Sequence, residues 1–152
     1  MNFNKEKEMR RQQGFTLLEV MVVVVIIGLL ASFVAPNLLG NKDKAAVKKA
    51  VADVSALENA LDMYKLDNNQ YPTTDQGLDA LVTQPQSDPV PRNYPAQGYI
   101  KRLPQDPWNN DYRYVSPGEH GVVDIFSLGA DGQEGGEGVN QDIGNWNLNE
   151  LR

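Results

Sequence analysis

One carboxylate, Glu19, stands at the start of an apolar stretch that continues over residues 20–39 without a charged side chain. A charge is costly in lipid, so a chain that keeps one there has a partner for it and a use for the pair. The natural partner is a cation, and a cut between Gly14 and Phe15 would make one, the new α-amine of Phe15. A small residue at Gly14 lets an extended backbone enter a protease cleft. Two roles for Glu19 are open. It snorkels toward the membrane surface, or it attracts the α-amine of an incoming subunit and sets the register of each addition. We favour the second, in which low dielectric strengthens the attraction and desolvation offsets part of it. Thr16 is placed to assist by hydrogen bonding nearby.

A second constellation lies at 128–143, a run rich in glycine and acid and poor in apolar residues. Calcium takes about 6–8 oxygen ligands from carboxylates and carbonyls, and glycines let carbonyls turn inward. The spacing of an EF-hand is missing, and on the residues alone a solvated acidic loop is the favoured reading. Enzyme chemistry finds no footing. The chain has no cysteine and one histidine, His120, which rules out thiol nucleophiles, thiolate metal sites and multi-histidine zinc. His120 sits in a turn beside Gly121 and reads as a loop residue making local hydrogen bonds. Neither a Gly-x-Ser-x-Gly elbow nor a phosphate-cradling loop is present. The expectation is a protein that is not an enzyme.

These residues must be positioned by a small number of elements. Residues 1–14 form a leader holding Lys5, Lys7, Arg10 and Arg11 against Glu6 and Glu8. In a secretory signal the apolar stretch precedes the cut and is discarded, whereas here it follows the cut and is kept. The basic leader stays cytoplasmic and leaves the C-terminal domain outside. Residues 15–40 are long enough to span a bilayer, which needs about 20 apolar residues. Gly28 and Pro36 interrupt them, and a kink or local unwinding is expected near Pro36. In lipid the small residues Gly28, Ala31 and Ser32 carry helix–helix contact.

Residues 41–152 make the soluble domain, which opens on the amphipathic continuation of the helix. Val47, Ala50, Val54, Leu57, Leu61 and Tyr64 recur at steps of three and four, one stripe facing a core. A continuous helix over 15–66 would be roughly 75 Å long at about 1.5 Å per residue, more than a domain of this size encloses. A short amphipathic helix with Leu78, Leu81 and Val82 is expected next, then a surface loop over 84–97. Tyr99, Ile100 and Leu103 return to the core. Strands are expected over 112–115 and 122–128, joined by a hairpin loop. The fold class is α+β, with one long helix packed on a small antiparallel sheet. The chain has 152 residues and a formal net charge of −6, and shedding the leader makes it more acidic still. That composition excludes nucleic acid as a partner, since such binding needs basic surface.

The segment Gly14-Phe15-Thr16-Leu17-Leu18-Glu19 resembles the processing site of type IV pilin-like proteins. Asp106-Pro107-Trp108, Pro117-Gly118-Glu119-His120-Gly121 and Gly129-Ala130-Asp131-Gly132 narrow the resemblance to the major pseudopilins of bacterial type II secretion. It covers essentially the whole chain and implies the same long helix and small sheet. It further implies cleavage after Gly14 by a membrane-embedded prepilin peptidase and N-methylation of Phe15. The implied product is a helical homopolymer, the pseudopilus, standing on the inner membrane with its domains in the periplasm. An inner-membrane platform and a cytoplasmic ATPase would build it, minor pseudopilins would accompany it, and its growth would push folded exoproteins through the outer membrane. A filament needs a heterologous, non-closing contact, which one helix stripe meeting a different face of the next copy supplies. The resemblance also implies calcium in the glycine-rich loop, held by the carbonyl of Leu128 and the carboxylates of Asp131 and Asp142. Gln141 stands where some relatives have a second Asp, leaving Gln133, Val139 and Asn140 as further oxygen donors. The alternatives are a type IV major pilin for adhesion or motility, whose usual C-terminal disulfide is missing here, and a membrane-anchored periplasmic binding module or enzyme.

Overall fold

The structure, a computed structural model, describes residues 14–151, apart from the side chains of residues 34–39. The expected leader therefore lies outside the described residues except for Gly14. Helix α1 runs Leu17–Asn68, and the chain divides into two compact units, Met1–Leu39 and Gly40–Arg152.

In the first unit α1 is apolar on all sides. Leu17, Leu18 and Phe33 are each more than 70% exposed, and the valines, isoleucines and leucines between them about half or more. Among the described residues of this unit no side chain is buried. The hydroxyl of Ser32 donates to the Leu29 carbonyl at 2.7 Å, so its one polar group is satisfied inside the helix. Among the described residues no helix is long and apolar enough to cross a membrane. The expected span over 15–40 includes residues 34–39, whose side chains lie outside the description. The backbone stays helical at residue 36, so the local unwinding expected there is not found.

The second unit has its own core. From α1 it takes Ala50, Val54, Leu57, Leu61 and Tyr64, the expected stripe, with Val47 half-buried at its upper end. Val51 and Ala60 widen that stripe beyond the strict spacing. Fully burying a leucine such as Leu57 or Leu61 contributes about 1.5–3 kcal/mol. The helix stops at Asn68, where Asn69 enters the left-handed region (φ 61) and donates its N–H to the Lys65 carbonyl at 2.7 Å. Where a short amphipathic helix was expected, Leu78–Leu81 forms a single 3-10 turn, which buries Leu78, Ala80 and Leu81 on the core. The loop that follows is pinned by Gln76, whose amide donates to the carbonyls of Ser87 and Pro89 at 2.9 and 3.2 Å.

Three short strands follow, β1 (Arg113–Val115), β2 (Asp124–Ser127) and β3 (Ile143–Gly144), in one antiparallel sheet with β2 in the centre. Tyr114 pairs with Ile125, and Ser127 with Ile143. The second strand is shorter than the expected 122–128, and β3 was not expected at all. Asparagines beyond its end brace the sheet: Gly144 N–H of β3 donates to the Asn147 side chain at 3.0 Å, and Ile125 N–H of β2 to that of Asn145 at 3.1 Å. Helix and sheet are also tied by a polar contact. The Tyr112 hydroxyl donates to Asp53 Oδ2 at 2.8 Å. Burial first, then that bond and the Asp53 charge, push the Tyr112 phenol well up, so it stays a donor at any working pH.

Candidate functional site

The residues singled out by sequence fall at two places, one at the start of α1 and one in the loop between β2 and β3. At the first, Gly14 and Phe15 precede the helix, and Phe15 is 83% exposed. Thr16 is the N-cap. Its carbonyl accepts the Val20 N–H at 3.2 Å and its hydroxyl accepts the Glu19 N–H at 3.2 Å. In return Thr16 N–H points at Glu19 Oε2, 3.5 Å away. This is the reciprocal Thr-x-x-Glu cap, which satisfies backbone donors that the first turn leaves open. The return contact is long and weak, so the Glu19 carboxylate keeps most of its capacity for another donor. Its place in the first turn puts it at the positive end of the helix dipole.

The second place is built from the end of β2 onward. Leu128, buried, follows the strand directly. Gly129 then turns left-handed (φ 69), and a side-chain carbon there would meet the Asn140 carbonyl carbon at 2.7 Å and the Val139 oxygen at 2.8 Å. Only glycine fits, because both the dihedral and the space exclude a Cβ. Ala130 N–H donates to the Val139 carbonyl at 2.8 Å, closing the loop at its base. Asp131 is exposed and its Oδ1 accepts the Gln133 N–H at 3.1 Å. Asp142, on the returning side, accepts Gly135 N–H on Oδ2 at 2.9 Å. Its Oδ1 is buried without a hydrogen-bond partner. Asn147 donates to the Asp142 carbonyl at 2.9 Å and steadies that residue from beyond β3. Among the described residues no three His, Cys, Asp or Glu side chains gather as a metal-holding group. Any cation here would therefore lean on carbonyls as well as on Asp131 and Asp142.

Sequence reading missed two supports of this loop. One is Asn147. The other is Asp106, 3% exposed, whose Oδ2 accepts the Ser127 hydroxyl at 2.6 Å. The turn signal of Asp106-Pro107-Trp108-Asn109-Asn110 was visible in the chain, but a bond to a serine 21 positions on carries no local signature.

His120 makes the local bonds expected of it. Its Nδ1 lies 3.0 Å from Asp124 Oδ2, and its ring stacks on Trp146 with centroids 3.9 Å apart. The hairpin loop closes on the Asp124 carboxylate, which accepts the N–H groups of Glu119, His120 and Gly121. Burial pushes the Asp124 carboxyl up, but the donors from His120 and Glu119 outweigh it and hold the group below its ordinary 3.8. With Phe126, Glu134 and Asp142 these side chains line an open cavity of about 550 Å³, so the hairpin and the acidic loop border one another.

Residues 37–146 match the family described as Type II secretion system (T2SS), protein G, and residues 9–35 match the prokaryotic N-terminal methylation motif. A type II secretion system core protein G from Vibrio cholerae is 71% identical over 96% of this chain and 99% of its own length. Its counterpart from Pseudomonas aeruginosa is 55% identical over 90% of this chain and 96% of its own. The crystal structure of the major pseudopilin of the type 2 secretion system from enterohaemorrhagic Escherichia coli superposes with a TM-score of 0.64 at 58% identity. It covers 73% of this chain and 95% of that one.

Proposed function

The chain belongs to the protein G family of the type II secretion system, the major pseudopilins, and from that premise we propose how its two sites serve a filament. It is a structural subunit of the pseudopilus, which displaces the alternatives of an adhesive pilin and a binding module. In our reading it is cut between Gly14 and Phe15, methylated at Phe15, and held in the inner membrane with its domain in the periplasm. The methylation motif across residues 9–35 supports the processing step. Subunits then leave the bilayer, and the apolar half of α1 exchanges lipid for the same half of other copies. Prepilin peptidase, the assembly platform, its ATPase and minor pseudopilins are its partners in this reading. Folded exoproteins are what the growing filament pushes.

The observation that carries this reading is the apolar surface of α1. Side chains from Leu17 to Phe33 are exposed on every face, and the only carboxylate among them is Glu19 beside the processing site. Such a surface is finished only by lipid or by other helices. Glu19, loosely held by its own cap, is free to take the Phe15 amine of the next subunit.

Calcium fits the second site on three counts. Asp142 Oδ1 is buried and lacks a partner, a costly state that a cation would relieve. Gly129 is packed closely against Val139 and Asn140 on the returning side of the loop, which fixes the loop base. The donors within reach are carboxylate and carbonyl oxygens, which suit a hard cation. The Leu128 carbonyl with Asp131 and Asp142 would hold the ion, and Gln133, Val139 and Asn140 offer further oxygens. When bound, calcium would cross-link the two sides of a loop that no disulfide can staple.

Mass spectrometry of the protein taken from its native membrane tests the processing step. The expected mature chain starts at a methylated Phe15. Filaments built from chains that still carry residues 1–14 would overturn the reading.

A further inference from the structure

One polar chain in the core of the second unit ties the turn at Asp106 to the end of β2 and to the first peptide of the loop beyond it. Asp106 is 3% exposed and Ser127 1%. Asp106 Oδ1 accepts the N–H groups of Trp108 and Asn110 at 2.9 and 2.8 Å, which fixes the carboxylate in its turn. Its Oδ2 accepts the Ser127 hydroxyl at 2.6 Å. A hydroxyl has one proton, and this one is committed to Asp106, so the serine oxygen faces its next neighbour as an acceptor. That neighbour is Gly129, whose N–H donates to Ser127 Oγ at 3.2 Å.

The consequence lies in the Leu128–Gly129 peptide. The cis bonds among the described residues are those before Pro89 and Pro117, so this one is trans. In a planar trans peptide the N–H and C=O point in opposite directions. Drawing the Gly129 N–H inward to Ser127 therefore turns the Leu128 carbonyl outward, away from the buried pair. On the far side the same segment is held by Gly129 packing on Asn140 and by the bond from Ala130 N–H to the Val139 carbonyl. The peptide is thus held from both sides.

We propose that Asp106 and Ser127 are positioning residues for the cation of the β2–β3 loop, aiming the Leu128 carbonyl at it before it arrives. The proposal rests on the calcium reading above. Neither residue touches the ion. They remove the cost of turning a neutral carbonyl, the ligand least attracted to a cation, out of competing orientations. Partners of this kind commonly change metal affinity by about 10–100-fold, and a ligand set ordered in advance binds more tightly for the same contacts.

The test is calorimetric titration of calcium chloride into the full-length chain in detergent micelles, with the melting temperature in chelator recorded for every variant. Ser127→Ala is expected to weaken calcium binding about tenfold or more, and Ser127→Thr, which keeps the hydroxyl, to restore it to within about threefold of wild type. Asp106→Asn is the second variant, with a weakening like that of Ser127→Ala expected. A merely structural role would lower the chelator melting temperature of Ser127→Ala and Asp106→Asn and leave their calcium affinity unchanged. That result would overturn the proposal. The calcium reading has its own control: a wild type without calcium binding, or Asp131→Ala binding as tightly as wild type, would remove it and this proposal together. Failure of Ser127 and Asp106 alone, with Asp131→Ala weakened, would remove only the positioning role.

Discussion

The two units of this chain solve the same problem in opposite ways. In Gly40–Arg152 the apolar side chains find partners within the chain, and Leu61, Ile125 and Ile143 are fully buried. In Met1–Leu39 the apolar side chains from Leu17 to Leu30 stay exposed, and Val20 is among the least exposed of them at 49%. A domain with its own core has a stability that belongs to one molecule. A helix apolar on every face has a stability that belongs to its surroundings, first lipid and then other copies. The lesson is that changes in the two units should separate cleanly, one set read by melting and the other by assembly.

The largest effect on melting should come from the core. Leu61→Ala is expected to cost the domain about 2–5 kcal/mol, measured by chemical denaturation, and to leave cleavage after Gly14 untouched. A processing defect as large as the folding defect would break the separation. The next effect sharpens it within the domain. An ion bound only by the folded state at a hundredfold excess over its Kd adds about 2.7 kcal/mol. Asp131→Ala should erase the rise in melting temperature on going from chelator to calcium. Equal melting of wild type under both conditions would remove calcium as a staple.

A smaller effect should appear in acid. The folded-state value of Asp124 lies below its ordinary 3.8, so its contribution is present above that pH and is lost as pH falls through the folded value. The gap in melting temperature between wild type and Asp124→Asn should stay constant from neutral pH down to about 5 and close as pH drops below the ordinary carboxylate value. A gap that widened in acid would contradict the assignment. The smallest effect belongs to the other unit. Thr16→Ala removes the N-cap at about 1 kcal/mol. It should fray the start of α1, seen by amide exchange in micelles, with the domain's melting unchanged.

How much of this was legible beforehand differs by region for physical reasons. The α1 stripe was readable because burial on one helix face imposes a period on Val54, Leu57, Leu61 and Tyr64 that the chain displays directly. The first two strands showed through their alternating and apolar runs. β3 did not, because two residues set no period; Asn147 holds Gly144 from outside the ladder, and Asn145 ties the chain after it to Val123 and Ile125. The 3-10 geometry of Leu78–Leu81 was also hidden, since one turn of apolar spacing suits either helix. At the second site the glycines and acids advertised a loop able to meet a cation. Nothing local to Asp106 told of Ser127, because their pairing is a product of the finished fold.

Glu19→Gln puts the central claim to the most direct test, because it removes a charge from the exposed unit and touches nothing in the domain's core. Assembled pseudopilus should be quantified in cells making the variant at wild-type level, alongside the melting temperature of the purified chain. The account predicts filament yield lower by at least about tenfold, the factor carried by 1.4 kcal/mol, at an unchanged melting temperature. Normal yield from the uncharged variant would contradict it.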